Sequence, residues 1–174
     1  MARDGSAGGR REPPGKHDPA AGVKPRALPS AVLFACTMNT VRSVMAAAIL
    51  DHLAGQRCYV RSAGVMAGEP DPFVAAVMGE IGIDVSQHNP ATLSELGDTS
   101  FDLIVTLSPE AHRQALELTR SMAVEVEDWP TIDVTALQEA GSREQVLAHY
   151  RSVRDQLLAR IRTRFGFAAA PGGE

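Results

Sequence analysis

The sequence predicts an α/β fold: a doubly wound three-layer sandwich in which a four-stranded parallel sheet carries helices on both faces. Two observations predict it. Short apolar runs of strand length alternate along the chain with segments of helical periodicity, and parallel neighbours in a sheet need a helical crossover to return the chain. The first and third runs are apolar at successive positions rather than at every second one, which marks strands buried on both faces.

The elements follow in order. Residues 1–30 are rich in Gly, Pro, Ala, Arg and Lys and show no apolar period, so they read as a disordered tail. The folded unit spans residues 31–166, and residues 167–174 read as a flexible C-terminal tail. Ala31 to Cys36 is the first strand. Ser43 to Leu53 is the first helix, with Met45, Ile49 and Leu53 at four-residue spacing and Gly55 just beyond. Cys58 to Ser62 is the second strand. Asp71-Pro72 opens the second helix as cap and first turn, Val74, Val77, Met78 and Ile81 line its face, and Gly82 closes it. A short helix falls around Leu93 to Leu96. Phe101 to Leu107 is the third strand, and Ser108-Pro109 starts the third main helix, which runs to about Thr119. Ala123 to Glu127 is a short fourth strand. Ser142 and Gln145 have the spacing of a capping box. The long helix that follows presents Val146, Leu147, Tyr150, Val153, Leu157, Ile161 and Phe165 as one stripe.

Composition narrows the function classes. The chain has 174 residues, 44% of them apolar, and a net charge of -4. Residues 1–28 hold six Lys/Arg against three Asp/Glu, so the rest of the chain carries about seven net negative charges. An acidic body lacks the basic face that nucleic-acid binding needs. No apolar run approaches a membrane span, and the basic N-terminus has no apolar stretch after it to make a secretory signal. Only two cysteines occur; this fits a reducing, cytoplasmic setting and offers no zinc-ligand spacing. The expected partners are a phosphorylated protein or a small phosphate monoester, with neither nucleic acid nor membrane, and the monomer is the favoured state.

The chemistry lies where the first strand meets the first helix, since α/β sheets bind ligands beyond the carboxyl ends of their strands. The segment is Cys36-Thr37-Met38-Asn39-Thr40-Val41-Arg42-Ser43. Backbone N–H groups at a helix start favour an anion, and together with Arg42 they favour a thiolate. A thiolate beside a phosphate-sized nest is a nucleophile for phosphoryl transfer. Arg42 offers a planar fork for two phosphate oxygens. Ser43 can donate its hydroxyl to the sulfur and help it leave in a second step. Asn39 tolerates the left-handed backbone that a tight nest requires. Thr37, Met38, Thr40 and Val41 complete the phosphate-binding loop.

The stretch from Val32 to Ser43 resembles the signature of the low-molecular-weight protein tyrosine phosphatases, which have Cys-x-Gly-Asn-x-Cys-Arg-Ser-Pro at this place. The resemblance runs from about Ala31 to Phe165. It includes Ser62-Ala63-Gly64, Gly82-Ile83-Asp84 followed by His88, and Phe101-Asp102-Leu103-Ile104. It implies Cys36 as nucleophile, Arg42 as phosphate clamp, and a bracing network of Asn39, Ser43, Ser62 and His88. It places a general acid in the loop after the fourth strand, at Asp133, with Asp128 as rival. It implies neither metal nor other cofactor. His52 and His112 read as surface residues on their helices.

Four departures qualify the resemblance. Met38 stands where the family has glycine, and its side chain would narrow the mouth. Val44 replaces the proline after Ser43. Val41 replaces a second cysteine that in relatives can protect the nucleophile as a disulfide; Cys58, at the start of the second strand, lies too far away to substitute. Val134 replaces the proline after the acid, no aromatic follows it, and residues 65–67 are also aliphatic. Relatives grip a phenyl ring with aromatics at these places; here Trp129 is the one candidate, as a pocket wall or as a core residue. Phosphatase chemistry on phosphotyrosine therefore stands beside two alternatives. One is a thiol-dependent arsenate reductase, which would lack internal resolving cysteines after Cys58. The other is a catalytically silent phosphate-binding regulatory module.

Overall fold

The computed structural model describes residues 27–96 and 100–169. The predicted N-terminal tail lies outside the described residues as far as residue 26, and the C-terminal one from residue 170 onward. Four strands, β1 (Ala31–Cys36), β2 (Tyr59–Gly64), β3 (Leu103–Thr106) and β4 (Glu125–Asp128), form one parallel sheet in the order β2-β1-β3-β4. The helices are α1 (Arg42–Ala54), α2 (Pro72–Glu80), α3 (Pro109–Leu118) and α4 (Arg143–Phe165). Three short 3-10 turns join them, Gly55–Arg57, Leu93–Leu96 and Val134–Leu137. None of the described helices is long and apolar enough to cross a membrane.

The two faces of the sheet divide β1 between them. Val32, Phe34 and Cys36 face the main core with α1, α2 and α4, whereas Ala31, Leu33 and Ala35 face a smaller cluster under α3. The period of two makes this division, and it explains why β1 is apolar at every position. On the second face α3 buries Ala111 and Ala115, small residues that let the helix lie close to the sheet.

The caps settle the helix ends as the sequence predicts. The Asp71 side chain accepts from Phe73 N, and Ser108 from Ala111 N. Ser142 and Gln145 form the reciprocal capping box, and α4 ends at Gly166 with φ 76°. β2 runs two residues further than expected, because Ala63 and Gly64 pair with Ala35 and Cys36. β4 starts at Glu125 rather than Ala123. Phe167, expected to open the C-terminal tail, packs against the core, with Arg57 stacked over its ring at 5.5 Å.

Trp129 is a core residue and not a pocket wall. It is 3% exposed and sits between Phe34 and Phe165 at ring-centroid distances of 6.1 and 6.4 Å, with Arg160 over its ring. Such aromatic contacts contribute about 0.5–1.5 kcal/mol each beyond burial, so Trp129 fastens the end of β4 to α4.

Candidate active site

The parallel register brings Cys36, Gly64, Thr106 and Asp128 to the same edge of the sheet. The loop that follows Cys36 is shaped by where its carbonyls go. The carbonyls of Cys36, Thr37 and Met38 accept from Val65 N, Met66 N and Gly68 N at 3.0, 2.8 and 3.0 Å, and that of Asn39 accepts from His88 Nε2 at 3.0 Å. In a trans peptide the next N–H points the opposite way. The N–H groups of Thr37, Met38, Asn39 and Thr40 therefore turn to the inside of the loop, where they form an anion nest at the start of α1. Met38 takes part with the backbone geometry intact and leaves its side chain 37% exposed.

Asn39 organises the loop. Its φ of 53° is the left-handed conformation that the tight turn needs, and among described residues no other non-glycine residue has a positive φ. Nδ2 donates to Ser43 Oγ and Ser62 Oγ, both at 2.9 Å, while Oδ1 accepts from Ala91 N at 3.0 Å. Ser43 Oγ lies 2.9 Å from Cys36 Sγ. Because that oxygen already accepts from Asn39, its own proton is free to be donated to the sulfur. Buried Asn39 and Ser43 thus end a chain of hydrogen bonds at the candidate nucleophile.

Arg42 is 7% exposed. Its guanidinium donates to the carbonyls of Leu107 and Thr131 at 3.4 and 3.3 Å and lies 3.7 Å from Asp133 Oδ2. Asp133 caps the turn Val134–Leu137, accepting at Oδ1 from Thr135 N at 3.0 Å and Thr135 Oγ1 at 2.7 Å. Burial pushes its carboxyl up, but the Thr135 hydroxyl and N–H together with Arg42 outweigh this and hold it below the ordinary carboxylate value. Cys36, Met38, Thr40, Val41, Arg42, Asp133 and Thr135 line one narrow cleft. Its free space of about 20 Å³ suits a single water. A roomier cavity of about 400 Å³ lies behind the loop, lined by Ser62 and His88; neither Cys36 nor Arg42 lines it, so size alone does not locate the chemistry.

The rival acid, Asp128, is directed elsewhere. It accepts from Thr106 Oγ1 at 3.0 Å and lies 3.9 Å from His112 Nδ1. His112 is accordingly no free surface residue: Nδ1 sits 3.0 Å from Thr106 Oγ1. Its partners lie on β3 and β4, and helical periodicity within α3 gives no sign of them. His52 is exposed, as expected.

Three contributors escaped the sequence reading. The Thr131 carbonyl holds Arg42, Thr135 holds Asp133, and Glu110 accepts from Thr37 Oγ1 at 3.2 Å. Asp133-x-Thr135 is a recognisable local capping pattern. The contacts of Thr131 and Glu110 join segments distant in sequence.

Val134 is 1% exposed and belongs to the core, so its replacement of proline does not obstruct the cleft. Cys36 and Cys58 are both free. Cys58 precedes Tyr59, which pairs with Ala31, so the length of β1 separates the thiols, about 17–20 Å. Burial, with Asp102 and Asp51 nearby, pushes the Cys58 thiol up and keeps it in the unreactive form.

Comparison with known proteins extends over the same region. The model of the low molecular weight phosphotyrosine protein phosphatase family matches residues 31–162. An arsenate reductase of Halalkalibacterium halodurans is 33% identical over 132 residues, covering 76% of this chain and 92% of its own. Among solved structures, an arsenate reductase from Archaeoglobus fulgidus has 29% identity and a TM-score of 0.60, over 78% of this chain and 98% of that one. The YwlE arginine phosphatase from Geobacillus stearothermophilus has 25% identity and a TM-score of 0.64, over 79% of this chain and 92% of that one. The match begins with β1, takes in the whole cysteine loop and reaches the last turns of α4, and on that ground the chain belongs to the low molecular weight phosphotyrosine protein phosphatase family.

Proposed function

We propose that the protein is a cysteine-dependent phosphatase that hydrolyses phosphate monoesters, protein phosphotyrosine among them, through a phosphocysteine intermediate. The observation that carries this reading is the Asn39–Ser43–Cys36 chain, which aims a hydroxyl proton at the sulfur of a residue set in an anion nest. In the first step the Cys36 thiolate attacks phosphorus as the ester P–O bond breaks. Asp133, entering this step protonated, gives its proton to the departing oxygen. The inward N–H groups and Arg42 hold the three phosphoryl oxygens and balance their charge. In the second step Asp133 takes a proton from water, the water oxygen bonds to phosphorus, and the S–P bond breaks. Ser43 Oγ–H stabilises the departing thiolate. Thr37, Met38, Thr40 and Val41 supply the nest, and Ser62 and His88 brace it through Asn39.

Asp133 ionises readily in the resting protein, so it acts as an acid only when a bound phosphate dianion raises its pKa. Among the described residues no aromatic side chain lines the cleft. A phosphotyrosine ring finds no described aromatic there to stack on, and phosphoarginine, the substrate kind suggested by the similar arginine phosphatase, belongs in the same assay.

The arsenate reductase reading rests on the names of the relatives. An arsenylated Cys36 needs a second thiol, and Cys58 is buried at the far edge. That reading therefore requires an external thiol. The silent-module reading is disfavoured by the loop geometry, which Met38 and Val134 leave intact.

Hydrolysis of para-nitrophenyl phosphate by wild type, Cys36→Ser and Asp133→Ala, all with EDTA, tests the proposal. The expected result is turnover by wild type, none by Cys36→Ser, and a loss of about 10²–10⁴-fold in kcat in Asp133→Ala, whose phosphocysteine lacks the base for hydrolysis. A folded, reduced wild type that is inactive, or active only without EDTA, would overturn it. Arsenate turnover that consumes added thiol would favour the reductase.

A further inference from the structure

Two segments outside the cysteine loop bear on the cleft. One is the segment after β2, held to the cysteine loop by the bonds of Val65, Met66 and Gly68 to the carbonyls of Cys36, Thr37 and Met38. That segment leads to Asp71, the cap of α2. The other is the turn Val134–Leu137, which has Asp133 at its start and Gln138 at its end, and it lines the cleft through Asp133 and Thr135.

The two segments meet at one carboxylate oxygen. Gln138 Nε2 donates to Asp71 Oδ2 at 2.9 Å, and Tyr150 Oη donates to the same oxygen at 2.7 Å. Gln138 Nε2 also donates to Tyr150 Oη at 2.6 Å. Asp71 Oδ1 is occupied by Phe73 N at 2.8 Å. Tyr150 comes from the middle of α4, is fully buried, and packs its ring on Phe73 at 5.3 Å. Burial pushes its phenol up, so the hydroxyl stays protonated and keeps its donor role. None of the three residues lines the cleft with Cys36, and nothing in the phosphoryl chemistry uses them.

We propose that Tyr150, acting through Asp71 and Gln138, is a positioning residue that sets the height of Asp133 over Cys36. The inference rests on the proposed role of Asp133 as the acid. The turn from Asp133 to Gln138 is one short rigid piece with Val134 buried beneath it. Pinning Gln138 at one end therefore fixes the carboxylate at the other, and a displacement of about 1 Å in such a group costs up to about 10²-fold in rate. The phosphate nest is also braced through Asn39, Ser62 and His88, so it keeps a support that does not pass through this node.

The acid role gives a readout that loss of stability would not produce. Acid assistance matters most for poor leaving groups and least for good ones. Gln138 is exposed, so Gln138→Ala keeps the fold, and Tyr150→Phe removes one hydroxyl from the core. Both variants should lose about 10-fold or more in kcat/KM with phenyl phosphate and under 3-fold in kcat/KM with para-nitrophenyl phosphate, in the direction of Asp133→Asn, because kcat/KM reads the step in which the ester oxygen departs and not the later hydrolysis of phosphocysteine. Inhibition by inorganic phosphate should change no more than it does in Asp133→Asn. The double variants with Asp133→Asn should lose nothing further. If Asp133→Asn shows the leaving-group dependence in kcat/KM while Tyr150→Phe and Gln138→Ala match wild type, or lose kcat/KM equally with both esters, the inference is overturned. If Asp133→Asn itself shows no such dependence, the acid assignment beneath it has failed.

Discussion

At the scale of single residues, Asn39 and Asp133 divide the work of the cleft. Asn39 is spent wholly on structure: both amide hydrogens, the amide oxygen and the backbone carbonyl are engaged. Asp133 is held below the ordinary carboxylate value by Thr135 and Arg42 against the opposing effect of burial. An oxyanion in the nest draws Arg42 to itself and sets negative charge beside Asp133, which raises the carboxyl's pKa. Binding then takes up a proton. Affinity is therefore greatest at low pH and is lost as pH rises through the raised, bound-state value. The inhibition constant of phosphate, followed from acid to neutral pH, should rise more steeply in wild type than in Asp133→Asn, where no proton is taken up. Identical profiles would remove Arg42–Asp133 coupling from the account.

At the scale of elements, the cysteine loop is as good as its contact with the end of β2. A Cβ at Gly64 would collide with Met66 O and stand 2.8 Å from Asn39 N, both backbone atoms that cannot yield separately. Gly64→Ala should lower stability by about 1–3 kcal/mol, by forcing the backbone apart, and should reduce phosphatase activity further than the stability loss explains. Urea denaturation and para-nitrophenyl phosphate kinetics on one preparation check both parts. At Gly68 the contacts are with side-chain atoms of Thr40 and Met38, so alanine there meets groups that can move. Strand and helix existence was readable from periodicity and caps, because those are properties of neighbours in sequence. The extra length of β2 was not, because Ala63 and Gly64 become strand by pairing with Ala35 and Cys36.

At the scale of the whole molecule, the sheet keeps the two thiols at opposite edges. Oxidised Cys36 finds no second thiol to form a disulfide, so continued peroxide carries it toward the sulfinic acid, which thiols do not reduce. The expected outcome is inactivation by peroxide that dithiothreitol does not reverse, with a mass increase of two oxygens on the peptide containing Cys36. Recovery of activity with dithiothreitol would show that oxidation is arrested by another route. The same architecture joins the cleft to the long helix: α4 supplies Tyr150 to the contact with Asp71 and Phe165 to the aromatic packing around Trp129.

The sequence by itself determined the order of strands and helices, the buried parallel sheet and the loop from Cys36 to Ser43. Each is written in local pattern: runs of apolar residues, capping residues, and the spacing of cysteine, asparagine, arginine and serine. The choice of Asp133 came from the family resemblance. Only the tertiary structure decided that Trp129 belongs to the core, that His112 and Asp128 meet at Thr106, and that Thr131 holds Arg42. It also decided that Asp71, Gln138 and Tyr150 converge on one oxygen. Hydrogen bonds and ring contacts are short-ranged, and these partners are far apart along the chain. They come within reach only when the parallel register and the packing of α4 have placed them.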